Sequence, residues 1–245
     1  MDTADRQIPG LRSEQSGGVL RLVIDRPEKR NAITDEVVAG LIDLIARAGN
    51  DESVRVIHLT GSGEDFCSGF DLIERNAAGG PRPRVGSIQR RLPGQANRLV
   101  TLMRRTQVPI VCEVRGWAAG IGLALVLAAD FAVVADDATL WSPFLERGFT
   151  PDSGVSWMLP RRIGEVRARE MLLLGRVVSG HEAETWSMVH RSVSRDDVAV
   201  VAADLVDRLA GAATVAVGLT KALLDTSPTA TIEAQMQDEA FSLEL

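Results

Sequence analysis

The sequence predicts an α/β fold that ends in a helical part, and three observations carry that prediction. Strand-like and helix-like stretches alternate from Val19 onward. One helical stretch, "GIGLALVLAAD", is apolar on every side, so other elements must enclose it. The last third of the chain is mainly helical in pattern, closing with stretches at 195–210, at 213–225 and from Thr231.

Taken in order, "VLRLVIDRP" sets Leu20, Leu22 and Ile24 in alternation with Arg21, Val23 and Asp25, a strand stopped at Pro27. "NAITDEVVAGLIDLIARAGN" is an amphipathic helix. Thr34 suits its N-cap, Asp35 and Glu36 suit the positive first turn, and Val37, Leu41, Leu44, Ile45 and Ala48 share one face. "VRVIHLTG" reads as a buried strand. "GSGEDFCSGFDLIERN" reads as a glycine-rich loop entering a short helix. Residues 76–94 carry Gly, Pro and Arg without a period and predict a mobile loop. "VPIVCEVRG", "FAVVAD" and "TLWSP" are strands, the last two joined by a tight turn. Ser179 and Glu182 form a capping box ahead of "AETWSM". No repeat or low-complexity linker divides the chain. One continuous domain is expected, with an N-terminal extension (1–18), an α/β core (19–194) and a helical region (195–245).

The 245 residues are 45% apolar and 24% charged with a formal net charge of −6, an ordinary globular composition that argues against a dedicated nucleic-acid binder. Two cysteines, Cys67 and Cys112, make neither a disulfide framework nor a metal cluster, so a reducing cytoplasm is the expected compartment and no metal site is expected. "MDTADRQIPG" lacks the pattern of a signal peptide. The one membrane-like stretch, Trp117 to Ala135, contains Asp130 and divides into a helix and a strand, so no membrane span is expected.

Chemistry has few places to sit. "FCSGFDL" and "GWAAGIGLAL" are glycine turns that each lead into a helix. Such turns present unpaired backbone N–H groups to an anionic or thioester oxygen, although glycine there also serves close packing. "GWAAGIG" is not a dinucleotide fingerprint. No G-x-S-x-G occurs, and His58, His181 and His190 lie in no triad setting. His58 fits a satisfied core histidine and Cys67 a small buried filler. Arg75, Arg82, Arg84, Arg90, Arg91, Arg98, Arg104 and Arg105 follow one another without an acid. They suit a solvated face, a positive rim for a phosphorylated ligand, or RNA contact. Asp152, in "TPDSG" before an apolar helical pattern, suits a helix N-cap.

Several segments together resemble the crotonase, or enoyl-CoA hydratase/isomerase, superfamily: "IDRPEKRNAIT", "GSGEDFCSGFDL", "VPIVCEVRGWAAGIGLALVLAADFAVVADDATL", "ERGFTPDSGVSWMLPRRIG", "GRVVSGHEAETWSMVHRSV" and "TKALL". The resemblance runs over nearly the whole chain from about residue 19. It implies a crotonase-like β-β-α superhelix with a C-terminal helical region, an acyl-CoA substrate, and a homotrimer or dimer of trimers. It implies no cofactor beyond the CoA of the substrate. It places an oxyanion hole at the backbone N–H groups of Phe70 and Ile121. The family usually carries glycine at the second position, and the isoleucine Cβ would restrict how closely a thioester lies. CoA and substrate contacts map to Arg26, Lys29, Arg30, Ala32, Ser68, Asp71, Leu72, Trp117, Gly120, Phe144 and Lys221.

The two glutamates that hydratases of the family use to activate water correspond here to Ala124 and Phe144. Neither can move a proton. Asp152 matches the single acid–base carboxylate of isomerase members, and burial against Phe144, Trp117 or Trp141 would raise its pKa. The resemblance therefore implies an enoyl-CoA isomerase acting through an enolate. A hydratase with an atypical water site and a non-catalytic acyl-CoA-binding or RNA-associating relative are the alternatives. Family members also continue past the point where this sequence ends, "EAFSLEL", into a stretch that packs near the CoA site or a neighbouring subunit.

Overall fold

The structure, a computed structural model, describes residues 8–72 and 86–243. The expected short helix after "CSGFDL" and residues 76–85 of the expected loop lie outside the described residues. In chain order the described elements are β1 (Leu11–Ser16), β2 (Val19–Ile24), α1 (Asp35–Ala48), β3 (Val56–Gly61), α2 (Ser87–Arg91), α3 (Ala96–Arg105), β4 (Ile110–Val114), β5 (Trp117–Ala119), α4 (Ile121–Ala128), β6 (Phe131–Ala135), β7 (Thr139–Trp141), α5 (Val155–Leu173), β8 (Val178–Ser179), α6 (Gly180–Thr185), β9 (Arg191–Val193), α7 (Val198–Ala210), α8 (Thr214–Thr226) and α9 (Ile232–Leu243).

A six-stranded sheet runs β1-β2-β3-β4-β6-β9, and a three-stranded sheet runs β5-β7-β8. β1 and β2 pair antiparallel, while the other neighbours in the large sheet are parallel. Parallel strands need crossovers and are covered on both faces, which is why β3 and β4 are almost continuously buried. The chain advances by a repeated move. β4 lies in the large sheet, β5 in the small one, and α4 returns. β6 and β7 then repeat the two strands one step along. Cys67 pairs in a parallel bridge with Ala118, which brings the loop after β3 into the same pattern.

β1 is a strand inside the segment expected to be an extension. Only Leu11 of its six residues is buried, so it has no alternation to betray it. Its register comes from the two-residue turn Gly17–Gly18, both at positive φ (59° and 84°), the conformation that matches the twist of a hairpin. Ser87–Arg91 is helical and Leu92–Gly94 forms a 3₁₀ turn, where a loop was expected. Leu92 supplies the reason, because it packs against the core.

α1 is capped by Thr34, whose hydroxyl accepts from the Val37 N–H, and it buries Val37, Leu41, Ile45 and Ala48 as the periodicity requires. Every residue of α4 is buried. The capping box at Ser179 and Glu182 is present on α6. α5 is bent at Gly164, whose φ of 77° is not helical. α7 covers the back of the large sheet, packing Val206 against Val56 and Val111. α9 buries none of its residues. Among the described residues no helix is long and apolar enough to cross a membrane.

Candidate active site

Two turns form one wall of a cavity of about 470 Å³. The first follows β3. The Cys67 N–H donates to the Trp117 carbonyl and the Ala119 N–H to the Cys67 carbonyl, so Ser68–Gly69–Phe70 runs beside Ala119–Gly120–Ile121. The second turn begins α4. Its N-cap is Gly120 at φ 57°, a conformation that favours glycine, and no side chain caps it. The N–H groups of the first turn of α4 therefore have no carbonyl within the helix. The two turns touch closely. A Cβ on Gly122 would lie 2.3 Å from the Cys67 carbonyl oxygen, so only glycine fits there without displacement.

A third segment is stitched to the first turn. The Ser68 N–H donates to the Arg30 carbonyl (3.0 Å), Ile33 N–H to the Gly69 carbonyl (2.9 Å) and Asp71 N–H to the Ile33 carbonyl (3.0 Å). Asn31, fully buried at φ 54°, holds this corner. Its Oδ1 accepts from the Arg26 N–H, and its Nδ2 donates to the carbonyls of Ser62 and Asp65. Asn31 was not singled out from the sequence. The available signal was an asparagine in a tight "KRNA" turn, one of the few residues that enters the left-handed region readily.

The opposite wall comes from the segment before α5, with Pro143, Phe144, Arg147, Phe149, Thr150, Pro151, Asp152, Ser153 and Gly154, and from the Arg91–Asn97 segment. Asp152 is half-buried and accepts from the Ser153 hydroxyl at 2.8 Å. It does not cap the helix with its side chain. Ser153 (φ 53°) and Gly154 (φ 75°) turn the chain through two left-handed residues, so the helix starts at Val155 with Gly154 at its N-cap. Asp152 contributes only its carbonyl there, accepting from the Val155 N–H.

Of the residues expected from the sequence, Phe70, Ile121, Asp152, Ser68, Leu72, Gly120 and Phe144 line this one cavity. Ile121 is 1% exposed and belongs to the core, which absorbs its bulk. Lys29 and Arg30 are exposed on the turn joined to Ser68, whose hydroxyl also donates to the Lys29 carbonyl. Arg26 is turned inward, donating to the Ala32 carbonyl and to Asp71, so among its contacts is a brace for the corner. Trp117 does not line the cavity. Its ring meets Trp141 edge-on at 5.9 Å, with the Arg30 guanidinium 6.0 Å away.

Lys221 is not brought to this cavity either. It is buried, and its Nζ donates to Asp130 (2.7 Å) and to the carbonyls of Met103 and Val108. Burial holds its pKa below the usual lysine range while the Asp130 charge pulls it back up. Ala124 is fully buried in α4. Cys67 is fully buried, and desolvation pushes its thiol up to about 12, so it is inert. His58 is a core residue packed against Glu113. Among the described residues no three His, Cys, Asp or Glu side chains are grouped to hold a metal ion.

Of the arginine run, Arg75, Arg82 and Arg84 lie outside the described residues. Arg91 lines the cavity, Arg90, Arg98 and Arg105 are exposed, and Arg104 pairs with Asp225.

The sequence profile of the enoyl-CoA hydratase/isomerase family matches residues 14–244. A 1,2-epoxyphenylacetyl-CoA isomerase of Escherichia coli K12 is 35% identical over 223 residues, 91% of this chain and 84% of the relative. A 4-chlorobenzoyl coenzyme A dehalogenase of an Arthrobacter species is 32% identical over 226 residues, 92% and 81% respectively. Among solved structures, an enoyl-CoA hydratase from Polaromonas sp. JS666 superposes with a TM-score of 0.87 at 29% identity, covering 95% of this chain and 90% of that one.

Proposed function

The chain belongs to the enoyl-CoA hydratase/isomerase family, and from that premise we propose that it is an enoyl-CoA isomerase with Asp152 as its single acid–base group. Asp152 removes a proton from one carbon of the acyl group. The thioester oxygen takes up negative charge and is held by the N–H groups of Phe70 and Ile121. The same carboxylate returns the proton two carbons away. The step is redox-neutral and isomeric, so it calls for no cofactor beyond the CoA ester. Each such N–H donor is worth roughly 3–4 kcal/mol in the transition state.

One observation carries this reading: Asp152 shares a cavity with Phe70 and Ile121, while the positions for a hydratase's two carboxylates hold Ala124 and Phe144. The phenyl rings of Phe70, Phe144 and Phe149 on that cavity suit a compact or aryl acyl group, in keeping with the isomerase relative. The exposed side chains of Lys29 and Arg30 are the candidates for the CoA phosphates. A homotrimer or dimer of trimers belongs to the same proposal. It is supported by α9, which leaves Ile232, Met236 and Phe241 exposed.

The test sets 3-enoyl-CoA isomerisation against crotonyl-CoA hydration, each with the wild type and Asp152→Asn. Isomerisation lost in the variant is expected. Rapid hydration that survives Asp152→Asn would overturn the proposal in favour of a hydratase with an atypical water site.

A further inference from the structure

Ser153 is 1% exposed and stands at φ 53°, a region where a residue with a Cβ is strained. The turn itself does not need this side chain, since glycine would make it more easily. What serine adds is a hydroxyl. A hydroxyl has one proton to donate, and this one is directed to Asp152 Oδ1 at 2.8 Å. The next two residues lock the arrangement: Gly154 is also left-handed, and the Val155 N–H holds the Asp152 carbonyl at 3.1 Å. Carbonyl and carboxylate of Asp152 are thus both held by its own turn.

We propose that Ser153 is a positioning residue: its hydroxyl fixes the plane of the Asp152 carboxylate across the cavity from the Phe70 and Ile121 turns and favours its ionised form. The role for chemistry rests on the isomerase reading, but the hydrogen bond and its effect on Asp152 do not. A donor to a carboxylate stabilises the charged form, so its loss raises the carboxyl pKa. The other charged side chains facing this cavity among the described residues are Arg91 and Arg147, which the serine variants leave in place.

The experiment compares Ser153→Ala, Ser153→Gly and Ser153→Thr with the wild type. It uses the pH profile of isomerisation and a ¹³C NMR titration of the Asp152 carboxyl, assigned by its loss in Asp152→Asn. In the Ala and Gly variants the carboxyl titration and the acid limb of kcat/KM should both move up by about one pH unit. Their kcat should fall roughly 10-fold with little change in KM. Thr keeps the hydroxyl and should restore the wild-type titration. Gly relieves the strained φ, so a shift in Gly as well as Ala excludes backbone relaxation as the cause. Titrations unchanged in both Ala and Gly would overturn the proposal. A shifted NMR titration in a protein that isomerises nothing, wild type included, would uphold the positioning role and reject the isomerase reading.

Discussion

Two of the cavities among the described residues have opposite character. The larger, about 710 Å³, lies between α8 and the start of α5. Its charged groups are directed at one another. Lys221 is tied to Asp130, Arg104 to Asp225, and Arg162 to the carbonyls of Leu127 and Ala129. Arg104 and Arg161 also stack on Trp157, at 4.9 and 4.0 Å. The smaller cavity, about 470 Å³, is walled by a helix N-terminus, a glycine turn and a carboxylate held at its edge. Size therefore does not separate the two in chemical character. What sets the smaller apart is a helix N-terminus without a side-chain cap, facing the same space as a half-buried carboxylate.

The sharpest way to break this contrast is Asp152→Asn. Isomerisation should fall by about 10³-fold, near 4 kcal/mol of barrier, with acyl-CoA binding and Tm almost unchanged. A variant with normal turnover would make the smaller cavity a binding pocket without an acid–base group.

Lys221→Met probes the other side. It takes from the half-buried Asp130 its closest cation, and stability measured by urea unfolding should drop by about 2 kcal/mol. KM for the CoA ester should stay within about twofold, because Lys221 lines the larger cavity and not the smaller one. A raised KM without lost stability would return Lys221 to the ligand.

Gly122→Ala tests whether the two turns act as one piece. Its Cβ would press on the Cys67 carbonyl oxygen, so about 2 kcal/mol of stability should be lost. Turnover should fall with it as the Ile121 N–H is displaced.

The smallest effect concerns a buried charge that serves only the fold. Burial pushes the Glu113 carboxyl up, but the His58 ring nitrogen 3.0 Å away and the Arg115 guanidinium at 2.9 Å outweigh it, leaving the pKa below its ordinary 4.5. A lowered acid pKa gives stability that is complete above the unfolded value and lost as pH falls through the folded one. The Tm advantage of wild type over Glu113→Gln should therefore shrink as pH falls below about 4.5, as thermal scans across that range would record.

Much of the fold was legible because its signals are local. The alternation of β2, the Thr34 cap and the Ser179–Glu182 box each declare themselves within a few residues. β1 hid because a mostly solvated edge strand has no apolar rhythm. β5 and β8 hid because two or three residues are too few for one. At the site, the residues that line the cavity through turns were legible as motifs. Lys221 was not, because its environment is made by Asp130, ninety-one positions earlier in the chain. Ser153 escaped for a different reason: its significance is a backbone angle, and serine is an unremarkable residue in a turn.

Cys67 lies directly beneath the junction of the two turns, with its backbone paired to β5 and its carbonyl against Gly122. Its thiol is wholly enclosed, and so is that of Cys112. A thiol reagent can reach Cys67 only when the turns part from β5. In a Cys112→Ala protein the rate of Cys67 alkylation under native conditions therefore counts the openings of this junction, a clock that needs no substrate.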